Sequence, residues 1–189
     1  MGTAFADREP RLSDGVVTLR RWEAADAECV EAVSGDAYIT LITTVPAEYS
    51  PDGGLQFVER QWSRLASGEG ISLAIALAQS DRACGCLTMM HRSNPPTGSV
   101  GLGYWVVPAE RGGGVAQRAV TLAADWALQR PGIARIEALV EPANIASQRV
   151  VEAAGFEREG LLRSYAILGD RRADTYIYSR LPVCRQPSP

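Results

Sequence analysis

Apolar and polar positions alternate with two different periods along the chain, and the switches between them mark the elements. "VVTLRRW" (Val16 to Trp22) reads as a first strand, and "AADAECVEAVSG" (Ala24 to Gly35) has helical periodicity with a glycine stop. "YSPDGGLQFVERQWSRLASGEG" opens like a helix, with Ser50 as N-cap and Pro51 at the first position. Its residues Leu55, Val58, Trp62 and Leu65 recur at helical spacing, although Gly53 and Gly54 weaken its start. Three strand-like runs follow: "ISLAIALA" from Ile71, "CGCLTMMHR" from Cys84 and "SVGLGYWVV" from Ser99. The short polar turns "QSDRA" and "SNPPTG" between them predict an antiparallel meander.

The strongest helical pattern is "GVAQRAVTLAADWALQR" (Gly114 to Arg130). Val115, Ala119, Leu122 and Trp126 form one stripe, with Ala116, Ala123 and Ala127 beside it. A strand at "ARIEALVEP", a shorter helix at "ANIASQRVVEAAG" and two closing strands around "GDR" complete the pattern. The order β, α, α, β, β, β, α, β, α, β, β predicts an α+β (mixed α/β) fold. One domain is expected over 15–182, with a loose polar segment at 1–14 and a flexible tail at 183–189.

Composition narrows the possible functions. With 189 residues, 46% of them hydrophobic, the chain can bury a full core. A net charge of -3 gives no electrostatic footprint for nucleic acid. All 19 basic residues are arginine, so no lysine is available as a titrating base. No apolar run approaches the ~18 residues of a membrane span, and the first residues lack the apolar segment of a secretory signal. Cys84 and Cys86 form a C-x-C pair, but a single histidine and no second pair at ligand spacing argue against zinc. Buried, reduced thiols and a cytoplasmic protein are expected instead.

The chemistry is concentrated in "PAERGGGVAQRAV", where a strand runs into the best helix. The first turn of a helix has four N–H groups without helical partners, and its dipole favours negative charge. Glycines let the backbone approach an anion with no side chain in the way. Arg111 adds a positive charge at the mouth of this phosphate-sized site. The Walker loop is excluded because the chain has no lysine, and "GGGVAQ" lacks the last glycine of a dinucleotide fingerprint.

These residues resemble a known family. "RGGGVA" (Arg111 to Ala116) is similar to the Q/R-x-x-G-x-G/A signature of GCN5-related N-acetyltransferases (GNAT), after a strand ending in "GYWVVP". "EPANIASQRVVEAAGFEREGLLR" resembles the family's second half, most of all in the branch of ribosomal-protein N-terminal acetyltransferases. The likeness runs from about Val16 to Leu181. It implies a mostly antiparallel sheet of about seven strands, splayed between the fourth and fifth and flanked by about four helices. It also implies acetyl-CoA as cofactor, a primary-amine acceptor (a protein N-terminus or a small molecule) and, by analogy, a homodimer.

By the same resemblance, the amides of Gly112, Gly113, Gly114, Val115, Ala116 and Gln117 would hold the pyrophosphate, with Arg111 at the edge. The splayed strand Tyr104, Trp105, Val106 and Val107 would pair with the pantetheine arm, and Asn144 would contact that arm or cap the next helix. The usual tyrosine acid is replaced by Val151, which leaves Ser147 as the candidate proton donor. Gly101 and Ala166 stand where relatives carry acidic residues, so His91 is the remaining candidate base. Tyr38, Tyr49 and Tyr165 are candidate walls of the acceptor pocket, and Asp174 is expected in a structural ion pair. The alternative is a CoA-binding sensor or interaction module that has lost its acid and base.

Overall fold

The computed structural model describes residues 5, 9–92 and 98–182. The tail expected at 183–189 and most of the "SNPPTG" turn lie outside the described residues. The strands are β1 (Leu12–Ser13), β2 (Val17–Arg20), β3 (Gly70–Leu77), β4 (Ala83–His91), β5 (Ser99–Val106), β6 (Arg135–Val140), β7 (Glu157–Leu168) and β8 (Arg171–Arg180). The helices are α1 (Ala27–Ser34), α2 (Ala37–Ile42), α3 (Pro51–Ala66), α4 (Val115–Leu128) and α5 (Ile145–Ala153). The sheet has 8 strands in the order β1-β2-β3-β4-β5-β6-β8-β7. Every pair is antiparallel except β5–β6, because α4 carries the chain back to start β6 in the same direction as β5.

Local chemistry explains most boundaries. Ser50 Oγ accepts from Gly53 N–H at 3.0 Å and Pro51 opens α3, as the sequence predicts. Asp36 caps α2 by accepting from the N–H groups of Tyr38 and Ile39. This helix was not expected, because six residues hold too little periodicity to register. The predicted helix from Ala24 begins instead as a 3-10 turn (Ala24–Asp26). There Asp26 is drawn into a buried pair with Arg20 at 2.7 Å. The buried face of α3 is Gly54, Phe57, Val58 and Gln61, with Leu55 exposed, so the stripe sits about one residue off the expected one.

The segment 1–14 is not uniformly loose. Phe5 is 1% exposed and stacks on Trp126 with ring centroids 5.9 Å apart, and Leu12–Ser13 forms the edge strand β1. On the α3 side of the sheet, Trp22, Phe57 and Trp105 make an aromatic cluster with centroids 5.5–6.3 Å apart. Trp105 thereby anchors β5 just where it parts from its neighbour. Cys84 and Cys86 are buried free thiols, and the described residues contain no metal-ligand cluster. Among the described residues Asp174 makes no ion pair; its carboxylate accepts from the Ser164 N–H at 2.8 Å, bracing a bulge in β7 where Ser164 has φ +54°.

Candidate active site

The parallel pairing of β5 and β6 stops at Leu102 opposite Ala138, yet β5 continues to Val106 and β6 to Val140. A cavity of about 1380 Å³ opens at this parting. On its other edge β5 stays paired with β4: Trp105 lies opposite Cys86, and Val107 N–H donates to the Cys84 carbonyl at 2.8 Å. Backbone groups alternate in direction along a strand, so those of Tyr104 and Val106 turn toward the opening. The Val106 carbonyl accepts from Arg111 Nε at 3.0 Å. The Val106 N–H and both backbone groups of Tyr104 are left facing the gap.

The glycine loop closes one end of this cavity. Gly112 and Gly114 have φ of +81° and +79°, which side-chain-bearing residues rarely adopt. A Cβ on Gly112, Gly113 or Gly114 would meet nothing within 4 Å, so tight packing does not explain the glycines. Gly114 is the N-cap of α4 and supplies no side-chain cap, so the amides of the first turn point outward without one. Gly112, Gly114, Val115, Ala116 and Gln117 all line the cavity, whereas Gly113 and Val107 do not. Arg111 is more constrained than a mobile charge. It is held by the Val106 carbonyl and by Asp36 Oδ2 at 2.8 Å. That partner keeps the Asp36 carboxyl below the ordinary carboxylate range.

The opposite wall comes from α5. Asn144 caps it, its Oδ1 accepting from Ser147 N–H at 3.0 Å, while its Nδ2 reaches the Tyr38 hydroxyl at 3.5 Å. Both expected roles are therefore open to Asn144, because the capping residue also lines the cavity. Ser147 Oγ and the Tyr104 hydroxyl are 2.8 Å apart. Burial pushes the Tyr104 hydroxyl up to about 12, against a smaller opposing effect of the Ser147 hydrogen bond. Tyr104 therefore keeps its proton at neutral pH. Val151 is fully buried and absent from the cavity wall.

Two expected site residues fall elsewhere. His91 lies at the far end of β4, opposite Val100, with its ring 4.7 Å from that of Phe5. Cys86 and Thr88 face the cavity, and strand alternation turns His91 to the other side of the sheet. Tyr49 packs beside Gly54 and does not line the cavity, whereas Tyr38 and Tyr165 do. The position of Gly101 is covered by Arg92, whose guanidinium a Cβ there would meet at 2.9 Å. Gln61, Arg64, Thr88 and Glu141 were missed on the wall. One signal was available: Gln61 is a polar residue one turn beyond Phe57 on the buried face of α3.

Comparison with known proteins fits this geometry. Residues 17–157 match the family model described as the acetyltransferase (GNAT) domain. The chain belongs to the GNAT family. Among curated relatives, "Probable N-acetyltransferase YjcK" of Bacillus subtilis is 32% identical over 115 residues, covering 61% of this chain but only 64% of that protein. Among solved structures, Mycobacterium smegmatis RimJ in complex with CoA-disulfide has a TM-score of 0.79 at 24% identity, covering 96% of this chain and 90% of that one. Microcin C7 self immunity acetyltransferase MccE, in complex with acetyl-CoA and AMP, has a TM-score of 0.76 at 20% identity, covering 89% and 93%. At such identities the structural likeness is one of fold. GNAT enzymes use acetyl-CoA. No helix in the described residues is long and apolar enough to cross a membrane.

Proposed function

We propose that this GNAT domain transfers the acetyl group of acetyl-CoA to a primary amine, with both held in one ternary complex. One observation carries the reading: a single cavity joins a bare-backbone helix N-terminus to a strand edge left open by the parting of β5 and β6. The loop fits a pyrophosphate, because its amides are uncapped and no side chain fills the approach. The open edge at Tyr104 and Val106 fits an arm that carries amides, as an added strand would. When bound, acetyl-CoA supplies an activated thioester whose sulfur leaves as a thiolate in need of a proton.

The chain's own groups are suited to the remaining tasks. Val106 N–H is aimed into the gap as a donor for a developing oxyanion. Ser147 Oγ holds a proton at the wall, and the Tyr104 hydroxyl at 2.8 Å can replace it. Asn144 fixes this corner by capping α5 through the Ser147 N–H. The acceptor amine must arrive neutral or lose its proton to water. The cavity carboxylates Asp36, Glu110 and Glu141 are each engaged by an arginine, Arg111, Arg82 and Arg171 respectively.

That engagement, with Val151 buried, also favours a second reading: a CoA-binding module without catalysis. Release of CoA thiol from acetyl-CoA across a panel of amino acids, short peptides and polyamines separates the two. The transferase reading predicts thiol release that depends on the amine. CoA binding with no amine-dependent release across the panel would favour the module.

A further inference from the structure

The acceptor side of the cavity has a positioned cation that lacks an anion. Arg64, on α3, lines the cavity and is half-buried. Its contacts are neutral: Nε donates to Gln61 Oε1 at 3.2 Å and Nη1 lies 3.2 Å from Met90 Sδ. Among the described residues no carboxylate comes within ion-pair distance of it. The guanidinium is held in place rather than left free. Gln61 is 1% exposed, its Nε2 donates to the Phe57 carbonyl at 2.8 Å, and its Oε1 also accepts from Ser72 Oγ at 2.9 Å. A buried network thus shares the Gln61 carbonyl oxygen between Ser72 and this arginine and so orients the guanidinium.

Arg64 is also in the wrong place to serve the glycine loop. It sits beside Met90, opposite Gly101 on β5. The loop begins beyond Val106, about 17 Å further along the strand at the usual rise per residue. On its α3 face the cavity is also lined by Phe57, Cys86 and Trp105. A charge taken partly out of water next to apolar walls is costly until an opposite charge arrives. A guanidinium fork matches a carboxylate in shape as well as charge. Because the cavity carboxylates are already paired, no comparable feature is available to hold a polycationic amine.

We propose that the acceptor is an extended amino-carboxylate, a short peptide of about four or five apolar residues, whose C-terminal carboxylate is taken by Arg64 while its N-terminal amine reaches the gap at Val106. This rests on the transferase reading for the fate of the amine, but the anion site can be tested without catalysis. Phenylacetate and phenylacetamide are titrated into the protein with and without saturating CoA. Phenylacetate is expected to bind at least about tenfold more tightly. That preference disappears in Arg64→Met and is partly kept in Arg64→Lys, which preserves the charge without the fork. CoA affinity is expected to be unchanged in both variants. With acetyl-CoA present, an apolar peptide of about four or five residues with a free C-terminus is expected to exceed its C-terminal amide in kcat/KM by a similar factor. Equal binding of the two probes, or a preference that survives Arg64→Met, overturns the proposal. Binding of phenylacetate through Arg64 with no thiol release from any amine leaves the anion site standing and counts against the transferase reading alone.

Discussion

The two ends of the cavity are built from different material. At the α4 end the working groups are backbone: the amides after Gly112 and the open edge of β5 at Tyr104 and Val106. At the α3 end they are side chains, with Gln61 and Arg64 on the same face as Phe57 and Trp105. A backbone site can be damaged only by changing the conformation or by adding a side chain where none is tolerated. A side-chain site can be rewritten one residue at a time while the fold stands. The first end therefore suits a feature shared across a family, and the second suits what differs between its members.

The comparison is best broken where the backbone end is weakest. Gly114→Asp places a side chain at φ +79° and a negative charge at the helix N-terminus. CoA affinity is expected to fall by about tenfold to a hundredfold, read by calorimetry. Ser147→Ala comes next: turnover should fall about tenfold while CoA affinity is unchanged, read as kcat at saturating acetyl-CoA. Equal turnover would remove Ser147 from proton transfer. Asn144→Ala should cost about 1 kcal/mol of stability through the lost α5 cap, seen in denaturant melts, with a modest rise in the KM for acetyl-CoA.

Smaller effects sharpen the distinction. Tyr165 is 51% exposed on the wall, so Tyr165→Ala should raise the acceptor KM severalfold and leave CoA binding alone. Tyr49→Ala should leave both constants alone, because Tyr49 packs beside Gly54 outside the cavity. The smallest effect concerns pH. The folded-state pKa of Asp36 is depressed, so its contribution is fully present above the ordinary carboxylate range near ~4 and is lost as pH falls through the lowered value. Melts of wild type and Asp36→Asn should differ at pH 6 and converge in acid.

What the sequence disclosed follows the same division. The glycine loop, the strand before it and α4 are local features with strong local signals, and they were legible as a strand running through a bare-backbone turn into a helix. The caps at Ser50 and Asn144 were legible for the same reason. The α3 end and the α5 wall are assembled across long separations. Arg64 meets Met90 from 26 positions away, and Tyr104 meets Ser147 from 43, which no spacing rule reports. His91 was misjudged as a candidate base because its chemistry was visible and its facing was not; one step of strand alternation puts it on the other side of the sheet. Segment 1–14 was expected to be loose because a single Phe5 in polar surroundings gives no periodicity, yet the Phe5 ring finds a slot against Trp126.

Amide hydrogen exchange with and without CoA tests the backbone-built end most directly. The account predicts that CoA slows exchange at residues 112–117 and at Val106 and Tyr104, and leaves the α3 end around Gln61 and Arg64 unchanged. Protection centred on α3, with no change at the glycine loop, would contradict it.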